Sequence, residues 1–599
     1  MTTIWQAPQQ QNDNTRSQIR MASGLVTALV LDADSRAGQA CVQSLGATGA
    51  KVHAGLRKTG SLTERSRWCH ASHLQPSYEP AQQALAWLLE LDAAHAYALV
   101  VPATEGSLRW LRMLPESHPL RQKALIASNA SIDIALDKDR TCELARTLGI
   151  DIPFSRRTDQ GDAPPLVLGF PCVLKPLRSK VIVAGRLETI AVVVARDAKT
   201  RDATYAAWLP YTGVQEQEWV PGRGVGVEAL YCNGEPVLGF IHERLHEYPL
   251  QGGASTLRRA AHPDPELLAL THHLLRSLRW HGVAMVEWRR APDGRLCLME
   301  INPRLWGSLP LTLAAGVNMP AAMLEMATGR ALAKPVQSWK VGLRARNVTE
   351  DLRWFAANLR ADRRDPLLLT ASPLRAALGW LRVFSGRERW DGWRLDDAGV
   401  AVAETTALMR LLAKAAVARL LRRFLAIRLS LHHRAVIEGI RRREAPIRRV
   451  LFLCYGNICR SPFAERLATS RLPGVEVQST GFHPKSGRSS PPHLVVAARE
   501  FGVDLAQWRS QVLTPEHVDR AELILAMDLE NLDRFKQQFP HALGRTTLLG
   551  LFSPSSRLEI PDPYNLNYEQ TRQVLHELSK AVDGLIHSNA WVSAALAPR

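Results

Sequence analysis

VLFLCYGNICRSP, residues 450–462, holds a strand, a loop and a helix start in one short run. The apolar stretch Val450–Leu453 reads as a buried strand that delivers Cys454 to a loop. Gly456 and Asn457 suit a tight turn with unusual backbone angles. Ser461-Pro462 reads as the start of a helix. Five residues separate Cys454 from Arg460. A loop of this kind can wrap backbone N–H groups around a tetrahedral oxyanion at a helix N-terminus. Arg460 can grip two oxygens of that anion in fork geometry. The same positive surroundings lower the pKa of a thiol, so Cys454 as a thiolate can attack phosphorus. Cys and Arg at this spacing alone also fit a buried thiol beside a surface arginine. The downstream run IPDPYN decides between the readings: Asp562 stands between two prolines, in a stiff loop suited to protonating a leaving oxygen and then activating water.

These residues closely resemble the low-molecular-weight protein tyrosine phosphatases. The resemblance covers about 448–590. It includes Cys454-Tyr455-Gly456-Asn457-Ile458-Cys459-Arg460-Ser461, Ser479-Thr480-Gly481, the run ELILAMD ending at Asp528, and Asp562-Pro563-Tyr564. It implies an α/β domain with a central parallel sheet, with Cys454 as nucleophile, Arg460 as phosphate binder and Asp562 as general acid. Asn457 and Ser461 are implied as supports of the loop and the thiolate. The implied reaction is hydrolysis of a phosphotyrosine protein or a small phosphomonoester through a cysteinyl-phosphate, with no cofactor. Cys459 matches a second cysteine that in many members protects the nucleophile by a reversible disulfide; a small buried hydrophobe is an equal reading. The family also contains arsenate reductases, whose further resolving cysteine has no counterpart here because Cys459 is the last cysteine.

Further upstream, AMVEWRRAPDGRLCLMEINPR, residues 284–304, reads as a hairpin. A two-residue turn at Asp293-Gly294 puts Glu287 directly opposite Glu300. Asn302 and Arg304 then share the face of Glu300. Facing carboxylates repel unless a cation stands between them. Two carboxylates and an amide offer hard oxygens, which suit Mg²⁺ with phosphate oxygens. The competing reading is a solvated hairpin face. Lys175 follows an apolar strand in FPCVLKP, and Lys138 opens a helix in LDKDRTCELARTLGIDIP. VQEQEWVPG, residues 214–222, is a strand leading to a Pro-Gly turn, where backbone groups can read an adenine edge.

This combination resembles the ATP-grasp superfamily, which includes biotin carboxylase, carbamoyl-phosphate synthetase and many carboxylate–amine ligases. The resemblance covers about 126–345. Residues 25–125 would be the Rossmann-like α/β layer that usually precedes the grasp: LVTALVLDAD, KVHAGLR and YALVVPATEG read as strands, and AGQACVQSLGATG as a helix. That layer lacks Gly-x-Gly-x-x-Gly, so it suggests no dinucleotide site. The resemblance implies ATP and Mg²⁺ as cofactors. Lys138 and Lys175 would hold ATP phosphates, Gln217 and Glu218 to Val220 would form the adenine hinge, and Glu287, Glu300 and Asn302 would hold Mg²⁺. Arg304 would steady the transferred phosphate or an acyl-phosphate, formed on a carboxylate and captured by an amine, neither of which the sequence names. Two departures stand out. Leu177-Arg178-Ser179-Lys180-Val181 replaces a glycine-rich phosphate loop, and Gly224 stands where many members carry a glutamate, leaving Glu228 as the candidate ribose ligand. The polar, glycine-containing stretch 242–259 is taken as a substrate-side loop.

The whole chain of 599 residues, 46% hydrophobic and 22% charged, has room for several domains and is too apolar for a disordered protein. Eight scattered cysteines show no repeated zinc spacing and fit a reducing compartment. The first 20 residues lack the apolar core of a signal peptide, and no long apolar run suggests a spanning helix. Between Ala407 and Arg449, twelve Lys and Arg residues face Glu438 and Glu444, so most of the +18 net charge lies in one helical stretch. That stretch reads either as a solvated connector or as a surface drawn to anionic lipid. No recognised fold accompanies the charge, so specific nucleic-acid binding is not expected. The expected organisation is a flexible tail (1–24), an α/β layer (25–125), an α+β ATP-grasp domain (126–345), a basic helical connector (346–447) and an α/β phosphatase domain (448–590). The expected whole is a cytoplasmic bifunctional enzyme, peripheral to the inner membrane if the connector meets lipid. The alternative is a phosphatase whose ATP-grasp half is a nucleotide-binding regulatory module.

Overall fold

Alternation of short apolar strands with helices builds the first layer. Strands β1 (Thr27–Leu31), β2 (Lys51–Leu56), β3 (Cys69–Leu74) and β4 (Leu99–Pro102) form a parallel sheet in the order β3-β2-β1-β4. The helix Arg36–Ala47 starts where Ser35 Oγ accepts from Gly38 N at 3.1 Å. These are coordinates of a computed structural model that describes residues 26–159, 163–177, 180–183, 186–190, 192–330, 338–443, 445–554, 558–566 and 568–588. The tail expected over 1–24, and Arg178 and Ser179 after Lys175, lie outside the described residues. The chain divides into two compact units, with the boundary between Arg410 and Leu411.

The first unit continues with two further main sheets. Strands β5 (Ser155–Thr158), β6 (Cys172–Pro176), β9 (Val193–Ala195) and β10 (Val214–Glu218) form one, in the order β5-β10-β6-β9. Between β6 and β9, β7 (Lys180–Val183) and β8 (Arg186–Thr189) pair as a separate hairpin. The third sheet runs β15-β14-β11-β12-β13-β16-β17. Its strands are β11 (Arg223–Cys232), β12 (Glu235–Tyr248), β13 (Ala254–Ala260), β14 (Gly282–Arg290), β15 (Leu296–Asn302), β16 (Arg344–Arg346) and β17 (Glu388–Trp390). One apolar core joins this sheet to the first layer: Val30, Val52 and Leu99 pack in the same cluster as Phe240, Leu305 and Trp306.

Two sequence expectations change here. The hairpin of β14 and β15 does pair Glu287 with Glu300, yet its turn is longer than two residues. Arg290 pairs with Leu296, and Ala291 N donates to Arg295 O. An irregularity between Glu287 and Trp288 shifts the register by one and restores the pairing expected from the shorter turn. The connector expected over 346–447 also divides. Strand β17 extends the third sheet in parallel with β16, because buried Arg346 pairs with Glu388 at 2.6 Å and also with Asp351. A charged strand buried through its ion pairs carries no apolar pattern, so it reads as polar in sequence.

The helix Ala398–Arg441 crosses the boundary between the units. Its last turns enter the core of the second unit through Val436, Ile437 and Ile440. Strands β18 (Arg449–Cys454), β19 (Glu476–Gly481), β20 (Leu523–Ala526) and β21 (Thr546–Leu548) form a wholly parallel sheet, ordered β19-β18-β20-β21. The strand order reverses beside β18. Its C-terminal end is therefore the crevice position at which open parallel sheets hold ligands. Phe463 and Leu467 of the helix Arg460–Thr469, and Leu578 and Val582 of the helix Tyr568–His587, cover one face of this sheet.

Candidate functional site

In the first unit, the second and third sheets enclose a cleft of about 580 Å³ lined by Lys175, Gln217, Arg244, Glu247, Glu287 and Glu300. Asn302 Nδ2 lies 3.2 Å from Glu287 Oε1 and 3.1 Å from Glu300 Oε1, bridging the two carboxylates. Arg244 Nη2 reaches Glu287 Oε2 at 2.5 Å. Burial and the facing Glu300 raise the Glu287 pKa, although Arg244 opposes them. Burial also acts on Glu300, but Lys138, the Asn302 amide and Lys175 outweigh it and hold Glu300 below the ordinary carboxylate range. Burial, with the charge of Lys138 close by, brings Lys175 down to about 8. A half-turn of the Asn302 amide would present its oxygen beside the two carboxylates, and three hard oxygens on one face fit a Mg²⁺-class cation.

Not every expected residue joins this group. Val220 packs with Ala291 and Cys297 while also lining the cleft. Glu218 also lines the cleft, but both its oxygens are engaged: Oε2 accepts from Phe154 N at 3.1 Å and the other lies 3.3 Å from Arg295. Arg304 Nε is 3.2 Å from Glu105 Oε1. Glu228 is completely buried on β11, where it accepts from Ser308 Oγ at 2.5 Å and from Thr312. This corrects the ribose expectation for Glu228: a carboxylate with no exposed surface and both oxygens engaged fastens β11 to the helix Leu309–Ala314.

In the second unit, Cys454 ends β18 and is 2% exposed. Its Sγ is 3.1 Å from Ser461 Oγ and accepts from Asn457 N at 3.1 Å. Asn457 takes a φ of +49° and is fully buried. Its Nδ2 donates to Ser461 Oγ at 3.0 Å and Ser479 Oγ at 2.8 Å, while its Oδ1 accepts from Gln511 N at 2.7 Å. Its carbonyl accepts from Trp508 Nε1 at 2.7 Å. A Cβ on Gly481 would stand 2.7 Å from Tyr455 O and 2.9 Å from Asn457 N, so only glycine lets β19 pass this close. Arg460 donates to Asp528 Oδ2 at 2.5 Å, Ile560 O at 2.9 Å and Asp562 Oδ2 at 2.9 Å. Burial works against its charge, yet Cys454, Asp562 and Asp528 outweigh burial and raise its pKa. Its buried Nε has no hydrogen-bond partner, which leaves a donor for an oxyanion. Burial, with Asp562 and Cys454 nearby, pushes the Cys459 thiol up.

The family model for low molecular weight phosphotyrosine protein phosphatase matches residues 449–594. The probable low molecular weight protein-tyrosine-phosphatase EpsP of Ralstonia nicotianae is 35% identical over 146 residues, which is 24% of this chain and 94% of that protein. The chain belongs to the low-molecular-weight phosphotyrosine protein phosphatase family. A protein-arginine-phosphatase of Geobacillus stearothermophilus is 37% identical over 138 residues, 23% of this chain and 93% of that protein. In the first unit, the model described as ATP-grasp in the biosynthetic pathway with Ter operon matches residues 217–351. The solved L-amino acid ligase of Bacillus licheniformis aligns at 14% identity, covering 54% of this chain and 79% of that one, with a TM-score of 0.43.

Some residues of these sites had no role in the sequence reading, among them Asp528, although it ends the run ELILAMD quoted there. In the phosphatase domain, Asp528 caps the helix Leu529–Gln538, with its Oδ1 accepting from Asn531 N at 2.7 Å, and its other oxygen holds Arg460. An aspartate just before a helix is a sequence signal for the cap, but not for the arginine. In the ATP-grasp domain, Glu247 lines the cleft beside Arg244 with Oε1 buried and unpartnered. Strand alternation would pair Arg244 with His246, but β12 is irregular around His246. His246 stacks on Trp354 instead, with ring centroids 3.4 Å apart.

Proposed function

We propose that the phosphatase domain hydrolyses aryl phosphomonoesters, phosphotyrosine among them, by a cysteinyl-phosphate route. The thiolate of Cys454 attacks phosphorus and the P–O bond to the leaving group breaks. Asp562 gives that oxygen a proton, then takes one from the water that cleaves the thiophosphate ester. Arg460 and the loop N–H groups hold the equatorial oxygens throughout. The observation that carries this reading is the convergence on one loop of Cys454 Sγ, the unpartnered Nε of Arg460 and the Arg460–Asp562 pair. The test is turnover of aryl phosphates in EDTA by wild type and by Cys454→Ser. Activity surviving the substitution overturns the assignment. A phosphoarginine peptide, the substrate class in a relative's name, is the comparison arm for specificity.

The ATP-grasp domain is proposed to bind ATP and Mg²⁺ and to activate a carboxylate as an acyl-phosphate for capture by an amine. In this reading Lys175 would meet phosphate, β10 the adenine edge, and Glu287, Glu300 and Asn302 the cation, which when bound would neutralise phosphate charge. Release of ADP that depends on an added carboxylic acid supports this reading. Nucleotide binding without such release makes the domain regulatory.

Among the described residues, no helix is long and apolar enough to cross a membrane. Peripheral attachment is proposed through the helix Ala398–Arg441, where exposed Leu411, Leu412, Leu420, Leu421 and Phe424 lie among arginines. Co-sedimentation with anionic vesicles, but not with zwitterionic ones, is the expected result.

A further inference from the structure

Three histidines meet on the first sheet of the first unit, on elements that contribute nothing to the cleft described above. His53 lies on β2, His73 on β3 and His95 in the last turn of the helix Ala81–His95. Register pairs His53 with Ala71 and Gly55 with His73, so His53 and His73 are diagonal neighbours on one face. Each ring offers one nitrogen, and the three nitrogens lie within 4.8 Å of one another. His53 Nδ1 is 3.1 Å from His73 Nε2 and 2.9 Å from the Tyr97 hydroxyl. The His95 ring stands 4.7 Å from that of His53 and 5.4 Å from that of His73. His53 is buried, His73 half-buried and His95 exposed, so the group opens to solvent on one side.

A neutral imidazole keeps one nitrogen lone pair for a cation. Two nitrogens on a tetrahedral zinc at ~2.0–2.1 Å stand about 3.3 Å apart. The His53–His73 separation already matches this spacing. His95, exposed at a helix end, closes the set by side-chain rotation.

We propose that His53, His73 and His95 form a site for one divalent transition metal of the zinc class, with a water in the fourth position. The ion would tie β2, β3 and the end of the helix Ala81–His95 together. Its ligands separate it from the cation site of the cleft, because imidazole nitrogen favours zinc, copper and nickel whereas carboxylate oxygen favours magnesium.

The experiment uses untagged full-length chain with Cys454→Ser in every arm, so that the phosphatase thiolate cannot bind the probe. Zn²⁺ is titrated in competition with a chromophoric chelator, and melting is followed with and without Zn²⁺. The expected result is one tight equivalent, a higher melting temperature with Zn²⁺, and no competition from millimolar Mg²⁺. His73→Gln/His95→Gln should weaken that equivalent at least 100-fold and abolish the zinc-dependent rise. His95→Gln alone, at a solvent-facing position, should weaken it about 10-fold, and serves if the double variant folds poorly. Affinity and melting that are unchanged in these variants, or a tight equivalent displaced by Mg²⁺, would overturn the proposal.

Discussion

The cradle at Cys454 and the cleft at Glu300, both proposed above to meet phosphate, are assembled in opposite ways. In the cradle, Cys454, Asn457, Arg460 and Ser461 come from one strand–loop–helix turn, which Ser479, Trp508, Gln511, Asp528 and Asp562 brace from afar. In the cleft, Lys175, Gln217, Arg244, Glu247, Glu287 and Glu300 come from five strands of two sheets. A site of the first kind is fixed by local backbone geometry. One of the second kind is fixed by register, so a single irregularity changes its membership.

The sharpest way to break this contrast is through the long-range member of the cradle. Asp562→Asn should slow cleavage of phosphotyrosine and alkyl phosphates by about 10²–10⁴-fold, the usual worth of a general acid. p-Nitrophenyl phosphate should be affected far less, because its leaving group departs without a proton. An equal loss across a leaving-group series would point to loop disruption instead. In the cleft, ATP at 100 times its dissociation constant should stabilise the first unit by ~2.7 kcal/mol. Glu300→Gln should remove the part of that gain that requires Mg²⁺. Equal melting shifts in Mg²⁺ and in EDTA for wild type would refute the carboxylate site.

Lys175 offers a smaller effect with an unusual sign. The unfolded chain keeps this proton up to about 10.4, whereas the folded chain releases it near 8. Between those values the unfolded state binds more protons, so folding stability rises with pH. Below pH 8 both states are protonated and the burial cost is fully present. Lys175→Met should thus stabilise the chain at pH 7 by roughly 1–3 kcal/mol. The difference from wild type should shrink by pH 10, as read from denaturant melts at the two pH values. A backbone effect is expected at Gly222, where φ is +117° and a Cβ would stand 2.0 Å from the backbone oxygen of Arg290. Gly222→Ala should cost about 2–4 kcal/mol and weaken nucleotide binding at the turn after β10. Unchanged ATP affinity would detach that turn from the site.

What could be read from sequence follows the same contrast. The strand, the turn at Asn457 and the helix start at Ser461 were legible because each carries its own local signal. The Glu287–Glu300 pairing was also legible, although the longer turn and the shifted register cancel each other in a way no alternation rule contains. Glu228 misled because it was offered only as a substitute for the family glutamate missing at Gly224, and a resemblance says nothing about depth: a strand glutamate can serve Ser308 and Thr312 inside the protein. Glu247 was missed because β12 changes face at His246, and β17 because its buried charges are satisfied by partners distant in sequence.

Asn457 holds the cradle from behind. Its side chain and carbonyl bind Ser461, Ser479, Gln511 and Trp508, while Tyr455 and Tyr564, 42% and 49% exposed, stand at the rim. Mutations at the rim can accordingly accumulate without reshaping the part of the loop that carries Cys454. A lineage carrying this domain can drift from one phosphorylated residue to another by neutral steps, keeping its chemistry intact while its clientele changes.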